Sequence, residues 1–168
     1  WHLVALNSNC REVGGCAAGS RQEQWLRADL AAHPAACTLA YWHHPRFNSS
    51  TSHGNNANMD AFWRVAYQHG VDVVLNSHAH VYERFEPQTP DARPDPTGIR
   101  AFTVGTGGAT PHAFGTPQPN SAVRLAGLYG VIELTLRADG YDWRFVKIAE
   151  QHVAAGGDAG SSTCTNVR

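Results

Sequence analysis

No stretch of this 168-residue sequence approaches the run of about 18 apolar residues that reads as a membrane-spanning helix, and no basic start leads into a short apolar core. Charge is scarce and balanced. The 13 Lys and Arg and 14 Asp and Glu make up 16% of the chain, against about 25% in ordinary soluble domains. The resulting net charge of -1 excludes the basic surface that a nucleic-acid partner demands. No two cysteines have CxxC spacing, which argues against a four-thiolate zinc site. There is no internal repeat and no second core, so the chain reads as one domain or part of one. It also lacks an initiator Met and opens on the strand-like run Trp1–Leu6, which points to a segment removed upstream.

What the sequence does contain is 42% apolar residues, enough for a real core. Its four cysteines suit disulfides in an exported protein. Cys10 and Cys16 bracket a short loop containing Gly14-Gly15, and their pairing would leave Cys37 with Cys164; four buried free thiols are the alternative. Ser20-Arg-Gln-Glu23 predicts a helix start of the capping-box kind, continued by Trp25, Leu26 and Leu30 and stopped by Pro34. Residues 36–42 and 71–75 read as strands covered on both faces, with an amphipathic helix from Met59 to Gly70 between them, which makes a βαβ unit. Residues 46–58 form a long polar loop of the kind that usually serves function. A proline-rich excursion at 86–98 precedes a strand at 99–104 and a glycine-rich loop. Strands at 129–137 and 141–148 then make a hairpin across Ala138-Asp-Gly140. The Gly/Ser-rich tail, 154–168, is expected to be poorly ordered except where Cys164 pins it.

Ten histidines are an unusual count, and their positions matter more than their number. His43 directly follows one buried strand, and His78 and His80 follow the next. Ligands of open α/β sheets bind outside the carboxyl ends of parallel strands, so these three imidazoles are placed to converge on a metal ion or a close metal pair. Single histidines such as His2, His33, His69 and His152 read as loop residues bonded to backbone. His44 reads as a structural neighbour of His43, and His112, after the Gly105–Gly108 loop, as a residue that does not face the site.

Trp25-Leu26, Trp42-His43-His44-Pro45, His53, His78-Ala-His80-Val-Tyr-Glu-Arg84 and Gly105-Thr-Gly-Gly108, in that order, resemble the C-terminal half of a calcineurin-like metallophosphoesterase. The likeness is to purple acid phosphatases and their secreted bacterial relatives. It implies an α/β fold: part of a layered αββα sandwich with mixed sheets that ends in an antiparallel hairpin, with residues 1–153 as the C-terminal part of the catalytic domain. It implies a secreted hydrolase of phosphate monoesters with a dinuclear centre of iron paired with zinc, manganese or iron. His43 and His78 would hold one metal and His80 the other, while His53 would contact the phosphoryl group and assist departure of the alcohol. Glu83-Arg84 is expected to form an ion pair beside the site.

The chain departs from the family in two ways. Ser77 stands where the family has Gly before the first His of HxH, and the earlier acidic ligand motifs (DxG, GDxxY, GNHE) do not occur. Asp60, Asp72, Asp91 and Asp95 lack the spacing to replace a bridging carboxylate. The metal centre is therefore incomplete in this chain, and the missing N-terminal half of the domain is an expected partner. The alternative is a non-catalytic fragment or binding module that keeps the fold and at most one weak metal. A mononuclear zinc hydrolase and a copper protein using HxH fit the motifs less well.

Overall fold

The computed structural model describes residues 1–148 and 157–165; His152 lies outside them. Helix α1, Arg21–Ala32, begins at Ser20, whose hydroxyl accepts the Glu23 N–H at 3.4 Å, while the Glu23 carboxylate reaches back to the Gly19 N–H at 3.0 Å. Leu26 and Leu30 bury the inner face of this helix. Trp25, expected in the same stripe, is 49% exposed. It lies one position before Leu26, about 100° around the helix, so the two cannot share a face.

The first sheet has six strands: β1 His2–Ala5, β2 Thr38–Tyr41, β3 Val73–Asn76, β4 Tyr82–Phe85, β5 Arg100–Val104 and β6 Ser121–Leu125. Their spatial order is β1-β2-β3-β5-β4-β6. The first three and β5 run parallel, and β4 is antiparallel to both β5 and β6. Helix α2, Asp60–Gln68, completes the predicted crossover between β2 and β3. Alternation of side chains across the pleat divides the core in two. Val4, Ala40, Val74 and Ala101 face the helices and their Leu26, Phe62 and Trp63. Leu39, Val73 and Phe102 face a second, antiparallel sheet carrying Tyr141, Trp143 and Phe145. Cover on both faces is why these strands read as continuous apolar runs.

The second sheet has the order β7 Gly130–Leu136, β8 Gly140–Lys147 and β9 Ala159–Thr163, so the predicted hairpin carries a third strand. This corrects the expectation of poor order for residues 157–165, the described part of the tail. Asp158, just before β9, is buried and accepts the Tyr82 hydroxyl at 2.6 Å, Arg84 Nε at 2.9 Å and Trp143 Nε1 at 3.1 Å. Those bonds and the β8 ladder, rather than side-chain burial, hold a Gly/Ser sequence in place. The disulfides are Cys10–Cys16 and Cys37–Cys164, the latter joining the start of β2 to the end of β9.

Glu83 and Arg84 do not pair with one another, because they are successive residues of β4 and point to opposite faces. Arg84 bonds Asp158 and Glu86. Glu83, fully buried, accepts the Ser49 N–H at 2.8 Å and the hydroxyls of Ser49 and Ser121 at 2.5 Å each. It thereby ties the polar loop at 46–58 to the sheet.

Candidate metal centre

Strands β2 and β3 stay side by side beyond their formal ends. The Trp42 N–H donates to the Leu75 carbonyl at 3.1 Å, the Asn76 amide to the Trp42 carbonyl at 2.9 Å, and the Ser77 N–H to the His43 carbonyl at 3.0 Å. His43 and His78 are thus delivered to one place. His43 Nε2 lies 2.9 Å from His78 Nδ1. Two nitrogens bound tetrahedrally to one zinc-sized ion at ~2.0–2.1 Å stand roughly 3.3 Å apart, so the pair is close to bidentate geometry without backbone movement.

The segment that aims these rings is tightly turned. His78 has φ of +52°, a region costly for a residue with a Cβ, and its two flanking residues close an i to i+2 turn from the Ala79 N–H to the Ser77 carbonyl. A second such turn runs from the Val81 N–H to the Ala79 carbonyl around His80. Gly105, at the end of β5, makes this possible: a Cβ there would run into the backbone carbonyl of Ala79. The Gly105 N–H donates to the Val81 carbonyl at 3.0 Å and fixes the loop from the other side.

The remaining histidines gather around this pair. His53 from the polar loop packs its ring 4.2 Å from that of His78, with His112 at 5.1 Å and His80 at 6.3 Å. His80 stacks on His112 at 4.1 Å and lies outside the tightest group, in which nitrogens of His43, His44 and His78 all fall within 4.8 Å of one another. The His80 Nδ1 meets the Thr110 carbonyl at 2.8 Å, so Nδ1 carries the proton and Nε2 of the neutral ring is free to ligate.

Three participants were not legible as such in the sequence. His112, expected to face away from the site, sits in the cluster, because its backbone N–H donates to the His80 carbonyl and its Nδ1 accepts the His80 N–H. His44 contributes to the tight group while its Nδ1 meets the Ser8 hydroxyl at 2.8 Å. Ser77 places its hydroxyl 2.9 Å from His43 Nδ1, which orients that ring with Nε2 toward His78. A Gly at this position could not do so.

Burial, followed by the charges of neighbouring imidazoles, lowers the pKa of His43, His44 and His112 below the ordinary histidine value. The same causes push His78 down to about 4. Its ring is neutral at pH 7, the state a metal requires. The donor set fits imidazole-bound zinc or iron. It does not by itself fit a close metal pair, since no carboxylate joins the cluster among the described residues and two cations ~3.5–4 Å apart need bridging anions. The four acids considered from sequence are engaged elsewhere: Asp60 and Asp91 with Arg64, Asp72 with the Thr38 N–H, and Asp95 with the Tyr67 hydroxyl.

No family model matches the chain. Among curated proteins of Arabidopsis thaliana, it is 34% identical to Purple acid phosphatase 15 over 94 residues, covering 53% of the chain and 18% of that protein. It is 30% identical to Purple acid phosphatase 18 over 125 residues, covering 70% of the chain and 28% of that protein, and 36% identical to Purple acid phosphatase 22 over 94 residues, covering 53% and 21%. The chain thus spans less than a third of the length of these relatives. They are plant proteins, and nothing in them supports the narrower likeness to a bacterial branch. Among solved structures, purple acid phosphatase PPD1 from yellow lupin (Lupinus luteus) seeds superposes with a TM-score of 0.79 at 15% identity, over 96% of this chain and 30% of the other. GAP50, described as the anchor in the inner membrane complex of Plasmodium, does so with a TM-score of 0.71 at 14% identity, over 99% and 49%. The chain is purple acid phosphatase-like, and its fold is that of the C-terminal part of a metallophosphoesterase.

Proposed function

We propose that residues 1–153 are the C-terminal part of a catalytic domain that hydrolyses phosphate monoesters, completed by acidic ligands from a preceding half of the same domain. The carrying observation is the approach of His43 Nε2 to within 2.9 Å of His78 Nδ1 at the ends of adjacent parallel strands, with the His53 ring against His78. In this reading His43 and His78 hold one metal and His80 the other. A bound metal pair supplies the positive charge that neutralises phosphoryl oxygens and activates water. Ser77 orients the His43 ring, the Thr110 carbonyl holds the His80 ring with its proton on Nδ1, and His53, on a loop tied down through Ser49 and Glu83, donates a proton to the departing alcohol oxygen. The two disulfides support a secreted or extracytoplasmic location.

A second reading, a non-catalytic module, is favoured by the all-imidazole donor set and by the fold shared with GAP50, which is described as an anchor. The two are separated by phosphomonoester turnover, measured after metal loading and removal of free ion. The 168-residue chain is expected to be nearly inactive, and a longer chain bearing upstream acidic motifs to be active and to lose at least ~100-fold on His78→Ala. Full turnover by the short chain with two metals bound would overturn the assignment.

A further inference from the structure

A second group of ligand-type side chains lies at the opposite edge of the molecule, where β1 begins and α1 ends. Asp29 lies in the last turn of α1, and His33, the residue that caps its end, folds back so that its ring reaches the Asp29 carboxylate. His2, in β1 rather than in a loop, comes against them from the sheet. His2 Nε2 is 3.0 Å from one Asp29 carboxylate oxygen, and His33 Nδ1 is 3.1 Å from the other. One ligand atom from each residue falls within 4.8 Å of the other two. The group lines a surface groove of about 470 Å³ with Trp1, Ala32, Pro34 and Ala35, so water can complete a coordination shell.

His2 Nδ1 is buried without a hydrogen-bond partner. If the neutral ring carries its proton on Nδ1, its Nε2 lone pair faces a carboxylate oxygen; if on Nε2, a buried Nδ1 acceptor is left unmet. In the first case a divalent cation relieves the opposed lone pairs by accepting the Nε2 lone pair and one carboxylate oxygen together, and the buried Nδ1 keeps its proton. Ligation through His33 Nδ1, which meets the Asp29 carbonyl and carboxylate in the absence of metal, requires the ring proton to sit on Nε2 instead. We propose that His2, Asp29 and His33 form a zinc-type site with an open coordination position, separate from the His43–His78 cluster, that clasps the first strand to the end of the first helix. Two imidazoles and one carboxylate favour zinc over magnesium or calcium, which prefer oxygen ligands.

The test is a Zn²⁺ titration of the 168-residue chain at pH 7, followed by the imidazole ¹H–¹⁵N resonances and by a competing chelator. The resonances of His2 and His33 should shift together at one equivalent, independently of those of His43 and His78. Asp29→Asn should weaken this response at least about tenfold, as losing a ligand costs no less than losing an outer-shell partner, while leaving the response of His43 and His78 intact. His33→Gln, at a position 63% exposed, should do the same without altering the metal-free circular dichroism spectrum, which keeps the test open should Asp29→Asn disturb folding. Zinc that leaves the His2 and His33 resonances unmoved, or that binds there equally well in His33→Gln, would overturn the proposal.

Discussion

Glu83→Ala should unfasten the polar loop that carries His53 and lower the stability of the whole chain. The carboxylate is fully buried and accepts three bonds, one from the Ser49 backbone and two from the hydroxyls of Ser49 and Ser121. Hydrogen bonds to a charged acceptor contribute about 1.5–3 kcal/mol each, and an orphaned buried N–H costs about 1–3 kcal/mol. The hydroxyls recover part of this by serving as acceptors: the Ser49 hydroxyl already takes the Gln118 N–H, and the Ser121 hydroxyl takes Arg124. The net loss is expected at about 3–5 kcal/mol, or roughly 10 °C in Tm for a chain of this size. Glu83→Gln keeps one carbonyl for the Ser49 N–H and should lose only about 1–2 kcal/mol. Thermal unfolding gives the first number, and amide hydrogen exchange across residues 46–56 shows whether the loop is what loosens. A Tm within 2 °C of the unsubstituted chain, or exchange in the loop unchanged by Glu83→Ala, would refute this account of how His53 is positioned.

Other consequences follow from the same contacts. Replacing Cys37 and Cys164 by Ala opens a bridge 127 residues apart in sequence and should destabilise the fold by about 2–5 kcal/mol, measured by denaturant unfolding. Gly105→Ala drives a methyl group into the Ala79 backbone and should cost about 1–3 kcal/mol, with imidazole resonances of His78 and His80 displaced. In metal-free protein the lowered pKa of His78 means that the unfolded chain binds the proton first. Its contribution therefore makes stability fall as pH drops from about 6.5 toward about 4, and His78→Ala should flatten the unfolding free energy across that window.

The parallel strands and the crossover helix were legible because both faces of β2 and β3 are covered, which writes burial directly into Thr38–Tyr41 and Val73–Asn76. Strand β4 was hidden inside the HxHxYER motif: Glu83 and Arg84 are charges in a buried strand, satisfied by Ser49 and Asp158 at separations of 34 and 74 residues that no local pattern reveals. Strand β9 has the composition of a linker and is held by backbone pairing and by Asp158, a single residue outside it. At the site, His43, His78, His80 and His53 stood out through strand ends and motif spacing. His112 carried no such signal, since its place depends on exchanging hydrogen bonds with the His80 backbone across 32 residues.

The most direct test of the metal centre is anomalous diffraction at the zinc edge from crystals of the metal-loaded protein. A peak is expected at ~2.0–2.1 Å from both His43 Nε2 and His78 Nδ1, with His53 and His80 around it. Density that leaves those two nitrogens without a shared ion, in protein whose bound zinc has been measured, would contradict the account.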